Sequence, residues 1–327
     1  MSRVWRRRFL ITTGAVLVAP ATAFGQQPGK VWRIGILETT SLALNAANLA
    51  AFQKGMQELG YVEGRHYVID YRSADGRAER FPDLAAEMVR GRVDLIVTRG
   101  TPATQAARTA TATIPVVTAA IGEPQLFVSS LARPGGNITG LSSFTNVLSA
   151  KRLELLRELV PGVARIAVLM NLGNAAVLVD WQETEKAARS LGIQVQLFDV
   201  RRAEDLQGAF EAARKQRANA LVVGQDGLIQ ANGKHVVELA AKHLLPAIYA
   251  ASDYVDQGGL ISYGVSYPDL YRRVASYVDK IMKGSKPGDL PIEQPTTFDM
   301  AINRKAAQTL GIKIPQSILL RADRVIE

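Results

Sequence analysis

The sequence contains no cysteine and only three histidines, His66, His235 and His243, among its 327 residues. The lack of cysteine excludes disulfides, thiolate-bound zinc, iron–sulfur clusters, thiol nucleophiles and a lipid-modified cysteine. Motifs for a phosphate-binding loop, a dinucleotide fingerprint and a serine nucleophile elbow are also missing. With so little material for catalysis, we predict a protein that is not an enzyme and that uses neither a cofactor nor a metal.

Acidic residues are missing from the first 25 positions, where four arginines lie. The whole chain has 39 basic and 30 acidic side chains, a net charge of +9, and the N-terminal arginines supply four of those charges. Elsewhere lysine and arginine are scattered and form no stripe with interleaved aromatic residues, which make up only 6% of the chain. The charge pattern therefore excludes nucleic acid from the expected partners.

The N-terminal arginines precede an apolar run at 9–19 and then small residues, which is the pattern of a secretory signal peptide. We therefore assign residues 1–25 to an export signal, with cleavage after either Ala23 or Gly25. Residues 6–10 resemble the twin-arginine export signature, and the general secretory route is the alternative. Either route predicts a periplasmic protein without a lipid anchor.

The rest of the chain alternates short apolar runs with amphipathic helical patterns, which is typical of parallel sheets covered by helices. The predicted strands fall into two sets of four, at 31–37, 66–72, 94–98 and 114–120, and at 165–170, 194–200, 220–224 and 246–250. Because both sets have the same order and similar spacing, we predict an α/β fold of two doubly wound parallel-sheet lobes joined by a multi-segment hinge.

Turn-rich passages mark where the chain crosses between the predicted lobes, and the first crossing is placed at about 140–146. The N-terminal lobe is expected to comprise 31–142 plus about 262–290. The C-terminal lobe is expected to comprise 143–261 plus about 291–327, although the lobe that holds the last strand and helix stays open. Several crossings predict a hinge with a cleft in which a small solute is enclosed.

In parallel sheets, ligands lie beyond the carboxyl ends of the strands, so residues just after the predicted strands are the candidates for binding. The candidate ligand-binding residues are Thr39, Thr40, Ser41, Gly100, Thr101, Gly122, Glu123, Asn171, Asp226, Tyr249, Ser252 and Tyr263. The most informative segment is Gly100 to Pro102, where Thr101 suits a helix N-cap and Pro102 the first turn. The free N–H groups at the N-terminus of a helix form a binding site for a carboxylate.

Each of these roles has a structural alternative. Thr101 either only caps its own helix or also contacts the ligand, and Glu123 either binds a ligand ammonium or favours the helix dipole. Asp226 either faces the cleft or serves the turn at Asp226-Gly227. Tyr249 and Tyr263 either stack on a flat ligand or belong to the core.

Five segments of the sequence carry a resemblance to a known family. They are 52–65, 93–103, 131–141, 151–156 and 258–264, and within them stand FQKGMQELGYVEGR, GTPA, ARPGGNITGL, KRLELL and GGLISYG. Together they are similar to the ABC transporter substrate-binding proteins of the tryptophan/tyrosine-type uptake family. The resemblance implies a type I periplasmic-binding-protein fold, in which two lobes close on a solute and deliver it to a membrane permease driven by a separate ATPase.

The resemblance also implies that the loops at 39–41 and 100–101 line the site. The sequence departs from better-known members at Glu38, Arg99 and Leu172. These differences affect which ligand is expected rather than which fold is expected. We therefore expect a monomeric receptor that captures a small carboxylate-bearing solute, either an amino acid or an aromatic acid. The alternative is a periplasmic ligand-sensing module that signals to a membrane receptor, since both functions need the same cleft.

Overall fold

Strands and helices alternate along the chain in two successive series. The structure is a computed structural model that describes residues 30–143 and 148–327, so the predicted export signal at 1–25 lies outside the described residues. The first series is β1 (Trp32–Glu38), α1 (Ala46–Glu58), β2 (Tyr67–Ser73), α2 (Phe81–Arg90), β3 (Leu95–Arg99), α3 (Thr101–Ala110), β4 (Val116–Ile121) and β5 (Ile138–Ser142).

The second series follows the first crossing. It is α4 (Ser149–Leu159), β6 (Arg165–Met170), α5 (Ala175–Leu191), β7 (Gln194–Asp199), α6 (Asp205–Lys215), β8 (Ala220–Val223), α7 (Gly227–Ala231), α8 (Gly233–Lys242), β9 (Ala247–Tyr249), α9 (Asp253–Asp256) and β10 (Ile261–Val265). The chain then continues with α10 (Tyr267–Met282), β11 (Ile292–Glu293), β12 (Phe298–Asn303), α11 (Arg304–Thr309), α12 (Gln316–Leu319) and β13 (Arg324–Ile326).

The strands form two separate sheets. The first has the order β11-β5-β4-β3-β1-β2 and the second the order β13-β12-β10-β9-β8-β6-β7. In the described chain, neighbouring strands run parallel except for β12, which is antiparallel to β10. The two parallel sheets with crossover helices confirm the predicted fold class of two α/β lobes.

The central strands form because their side chains are apolar on both faces. Ile34 and Ile36 of β1 and Ile96 and Val97 of β3 are completely buried, since helices cover the sheet on either side. Burial of each such side chain stabilises the fold by roughly 1.5–3 kcal/mol. The helices are amphipathic, and within the described residues none is long and apolar enough to cross a membrane.

The crossings between the sheets differ from the expected boundaries at two points. The expected return to the first lobe at about 262 falls inside β10, whose backbone pairs with β9 and β12 of the second sheet, so the chain returns only after Val265. The expected departure at about 291 precedes β11, which pairs with β5 of the first sheet. The chain therefore leaves the first sheet after Glu293, and β12 lies in the second.

Helix α10 packs against the first lobe after the return. The hydroxyl of Tyr61 donates to Asp279 Oδ1 at 2.8 Å, and the guanidinium of Arg272 contacts Glu58 Oε2, also at 2.8 Å. Because α10 starts at Tyr267, directly after β10, its first turn is placed between the two sheets. This position brings Tyr267 to the cleft.

Candidate functional site

A cavity of about 170 Å³ lies between the two sheets, where the carboxyl ends of the strands of both lobes converge. Its first-lobe wall comes mainly from the residues that follow β1, β2, β3 and β4, and its second-lobe wall mainly from those that follow β6 and β8 and from α5. The polar or charged side chains in these walls are Thr39, Glu79, Arg99, Thr101, Ser143, Asn171, Asn174, Asp180, Arg201, Gln225, Asp226, Gln230 and Tyr267. The arrangement matches the general position of ligands in open parallel sheets.

A buried ion pair supports the first-lobe wall. Arg99 Nε donates to Glu38 Oε1 at 2.6 Å, and the two side chains are only 4% and 0% exposed. Arg99 Nη2 also donates to the hydroxyls of Thr39 and Thr40, at 2.8 and 2.9 Å. The hydroxyl of Tyr271 donates to the other oxygen of Glu38, Oε2. Because every one of these partners is fixed, the guanidinium of Arg99 is held in one orientation.

One terminal nitrogen of Arg99, Nη1, is not used in the hydrogen bonds that hold its side chain. Burial works to lower the pKa of Arg99, but the Glu38 carboxylate raises it, and the net shift is upward, so the guanidinium stays charged. The ring of Tyr267 lies 4.9 Å from its central carbon and supports the cation from one face. Within the described residues no hydrogen bond uses Nη1, and Arg99 lines the cavity. Arg99 therefore offers a free N–H pair to an anion.

Helix α3 begins beside Arg99. Gly100 is its N-cap residue, with φ +84°, a value that favours glycine. The prediction that Thr101 caps this helix is therefore wrong, because Thr101 is already the first helical residue and no side-chain cap is formed. Its buried hydroxyl has no hydrogen-bond partner within the described chain and lines the cavity. A buried hydroxyl without a partner is costly unless a ligand satisfies it.

The second-lobe wall is organised around Asp226. Its carboxylate caps α7 by accepting from the backbone N–H of Leu228 at 2.9 Å, and it also accepts from the side-chain amides of Asn171 at 3.1 Å and Asn174 at 3.0 Å. Burial raises the pKa of Asp226, while the hydrogen bonds from Asn174 and Asn171 oppose that shift. Since its oxygens are engaged within the lobe, Asp226 serves mainly to fix the two asparagines in the cavity wall.

Residues of the two lobes touch at three points around the cavity, and each point involves a glycine. A Cβ on Gly122 would lie 2.8 Å from Ala176 Cβ, and one on Gly76 would lie 2.7 Å from Ala231 Cβ. A Cβ on Gly227 would lie 2.9 Å from two side-chain carbons of Thr39. Each glycine belongs to one lobe and its neighbour to the other. The structure therefore shows the lobes closed on each other, with no room for a methyl group at these points.

Six of the twelve candidate residues line the cavity directly: Thr39, Gly100, Thr101, Gly122, Asn171 and Asp226. Thr40 lies behind the wall and accepts from Arg99, and the hydroxyl of Ser41 accepts from the backbone N–H of Leu44 at 3.4 Å. Glu123 lies beside the wall, where burial and the charge of Asp180 raise its pKa.

The structure does not bring the three candidates near β9 and β10 into the cavity wall. Tyr249 is buried and stacks on Tyr254 with ring centroids 4.8 Å apart, which is the arrangement of the core alternative. Ser252 is the residue before α9, and the ring of Tyr263 lies 6.2 Å from that of Phe298.

Sequence reasoning missed several wall residues. Asp180 is one, since it lies in the middle of α5 and not at a strand end. An acidic residue on the buried stripe of α5, beside Val177 and Thr184, was the available signal. Tyr267 was also not predicted as a wall residue, because its position depends on where the chain returns to the first lobe after β10.

Comparison with known proteins identifies relatives over nearly the whole described chain. Residues 34–326 match the profile of the family described as ABC transporter substrate binding protein. A tyrosine-binding protein of Clostridioides difficile (strain R20291) is 25% identical over 264 residues, which are 80% of this chain and 76% of that protein.

Two solved structures allow a comparison of the lobes. The ABC domain from Streptococcus pneumonia in complex with L-Trp has a TM-score of 0.84 at 29% identity, covering 91% of this chain and 100% of that one. A ligand-free, open structure of a substrate binding protein with adhesive properties from Clostridium difficile has a TM-score of 0.65 at 26% identity, covering 90% and 99%. At similar identity, this chain superposes better on the ligand-bound structure than on the open one.

Proposed function

Because the chain belongs to the family of ABC transporter substrate binding proteins, we propose that it captures an amino acid or an aromatic acid for an ABC importer. This family consists of transport receptors rather than enzymes. We infer a carboxylate-bearing ligand mainly from the N–H pair of Arg99 Nη1. The Arg99 guanidinium is fixed in the wall of a cavity that the two lobes enclose.

A carboxylate fits the first-lobe wall for three reasons. Arg99 supplies a charged donor whose other nitrogens are already satisfied, so its orientation is set before the ligand arrives. The start of α3 supplies backbone N–H groups and the positive end of a helix dipole. The hydroxyl of Thr101 supplies a donor that the protein itself leaves unused. Together these groups match the two oxygens of a carboxylate.

The relatives support the amino-acid part of the proposal. One curated relative is a tyrosine-binding protein, and one solved relative holds L-Trp. Both ligands carry a carboxylate on the α-carbon, which is joined through one methylene to an aromatic group. The residues proposed to contact the ligand are Thr39, Gly100, Thr101, Gly122 and Arg99 of the first-lobe wall and Asn171 of the second, with Asp226 lining the cavity and holding Asn171 in place.

The proposed setting is the bacterial periplasm. The signal-like residues 1–25 and the absence of cysteine support export without a lipid anchor. The receptor would act as a monomer, and its partners are a membrane permease and the separate ATPase that drives it. The closed lobes would present the loaded receptor to the permease.

A thermal-shift panel of the protein amino acids and of aromatic acids tests the proposal. Ligand at 100-fold above its Kd stabilises a protein by about 2.7 kcal/mol, which raises Tm by several degrees in a chain of this size. We expect at least one carboxylate in the panel to give such a shift, and the methyl ester of the same compound to give none. If no carboxylate raises Tm, the proposed ligand class is refuted.

A further inference from the structure

A second charged group faces the cavity from the opposite lobe. Asp180, on the second turn of α5, is 3% exposed and lines the cavity. Its Oδ1 accepts from the hydroxyl of Ser149, and no hydrogen bond within the described chain reaches its Oδ2. A buried carboxylate in a cavity wall, with one oxygen that has no partner among the described residues, is a strong acceptor for a cation.

The nearest protein cation does not neutralise Asp180 by direct contact. Arg152 on α4 interacts with Asp180 through its charge, but its Nε donates to the backbone carbonyl of Tyr263 at 2.9 Å. No ion pair joins Arg152 to Asp180 among the described residues. On the other side of the cleft stands Glu123, whose pKa is raised by burial and by the charge of Asp180. A ligand cation beside Asp180 is therefore attracted by a carboxylate that forms no ion pair within the described chain.

The two charged walls are close enough for a single small molecule. The Cβ position of Gly122 would lie 3.4 Å from the hydroxyl of Thr101 in the first lobe and 2.8 Å from Ala176 Cβ in the second. Asp180 follows Ala176 by one helical turn on the same face of α5, a separation of about 5–6 Å between Cβ atoms. The hydroxyl of Thr101 and the Cβ of Asp180 are thus at most about 12 Å apart, a span that one amino acid with a hydrogen bond at each end can bridge.

We propose that Asp180 binds the ammonium group of the ligand while Arg99 and Thr101 bind its carboxylate. This inference rests on the proposed function and narrows it, because an aromatic acid that lacks an amino group would leave Asp180 without a partner. The first lobe then binds the carboxylate of the ligand, and the second lobe binds its ammonium group. A zwitterionic amino acid satisfies both walls only when the lobes are closed, so the same contacts give selectivity and closure.

The test compares amino acids with analogues that lack only the amino group. Isothermal titration is carried out with L-tyrosine, L-tryptophan and L-phenylalanine, and with hydroxyphenylpropionate, indolepropionate and phenylpropionate. For the wild type we expect a preference of about 10- to 100-fold for the amino acid of a pair, since a hydrogen bond to a charged group is lost in the analogue. In Asp180→Asn the preference falls toward unity, and the analogue is bound as well as by the wild type.

Glu183→Gln is the matched control. Glu183 lies one turn further along α5, is 45% exposed on its side chain and pairs with Lys186 at 3.6 Å, so its removal changes the same charge outside the cavity. We expect this variant to keep the wild-type preference. A preference that persists in a folded Asp180→Asn variant overturns the role of Asp180.

The wild-type titrations give an answer even if the Asp180 variant does not fold. Equal affinity for an amino acid and its analogue overturns the inference while leaving the proposed capture of carboxylates intact. Failure of the wild type to bind any of the six compounds, together with no response in the thermal-shift panel, refutes the proposed function itself.

Discussion

A methyl group added at Gly122 is expected to weaken ligand binding by opposing closure. In the closed structure the added Cβ of Gly122→Ala would lie 2.8 Å from Ala176 Cβ across the cleft. Carbon atoms in ordinary contact are about 3.5–4.0 Å apart, so the lobes must separate there by about 1 Å. Overpacking of this kind costs typically about 1–3 kcal/mol. Since the open form bears none of that cost, the closed form alone is destabilised.

The expected consequence is a Kd raised by about 5- to 150-fold, which is the ratio that corresponds to this energy. Stability of the free protein, measured by urea unfolding without ligand, should change little if the free protein is open. Gly227→Ala should behave in the same way, because its Cβ would meet Thr39 at 2.9 Å. Titration calorimetry with any carboxylate that raises Tm measures the effect.

Gly208→Ala provides the control for these variants. Gly208 lies in α6, and nothing stands within 4 Å of its Cβ position. Alanine in an exposed helix should stabilise the fold by about 0.5–1 kcal/mol and leave affinity unchanged. If Gly122→Ala and Gly227→Ala both bind ligand as tightly as the wild type, the lobes do not meet in the bound protein as they do in this structure.

Two further predictions concern the first-lobe wall. Thr101→Val removes the hydroxyl that has no partner in the described chain, so we expect unchanged or higher stability in urea but weaker carboxylate binding; weaker stability with unchanged binding would contradict the proposed contact. Glu38→Gln leaves the buried charge of Arg99 unpaired and should lower the free energy of unfolding by about 3–5 kcal/mol. Adding Arg99→Gln to Glu38→Gln should restore part of the lost free energy of unfolding. If the double variant instead loses the sum of the two single losses, the two residues are not coupled.

The sequence was sufficient to predict the parallel strands of both lobes. Strands such as β3 and β8 are buried on both faces and therefore appear as continuous apolar runs, which set their positions within one or two residues. Strands β5, β10 and β12 contain glycine or polar residues and gave no such run. The pairing of β12 antiparallel to β10 depends on contacts between distant segments, so the crossings after Val265 and Glu293 were placed a few residues early.

The cavity was predictable where its walls come from strand ends. Thr39, Gly100 and Asn171 follow strands of different lobes, and the rule for parallel sheets brought them to one cavity. Arg99 was visible only as a departure from the family pattern, because its role depends on a partner 61 residues away, Glu38. Asp180 required the packing of α5 across the cleft, which no local pattern contains.

Closure of the two lobes around a carboxylate can be measured directly by labelling one exposed position in each. Gln105 on α3 and Gln182 on α5 are exposed, and the chain has no cysteine, so Gln105→Cys and Gln182→Cys together accept spin labels only at those positions. Pulsed electron paramagnetic resonance then gives the distribution of distances between the lobes. With a saturating carboxylate that raises Tm, we expect the population to move to the shorter distance, and identical distributions with and without that ligand would contradict closure as the mode of capture.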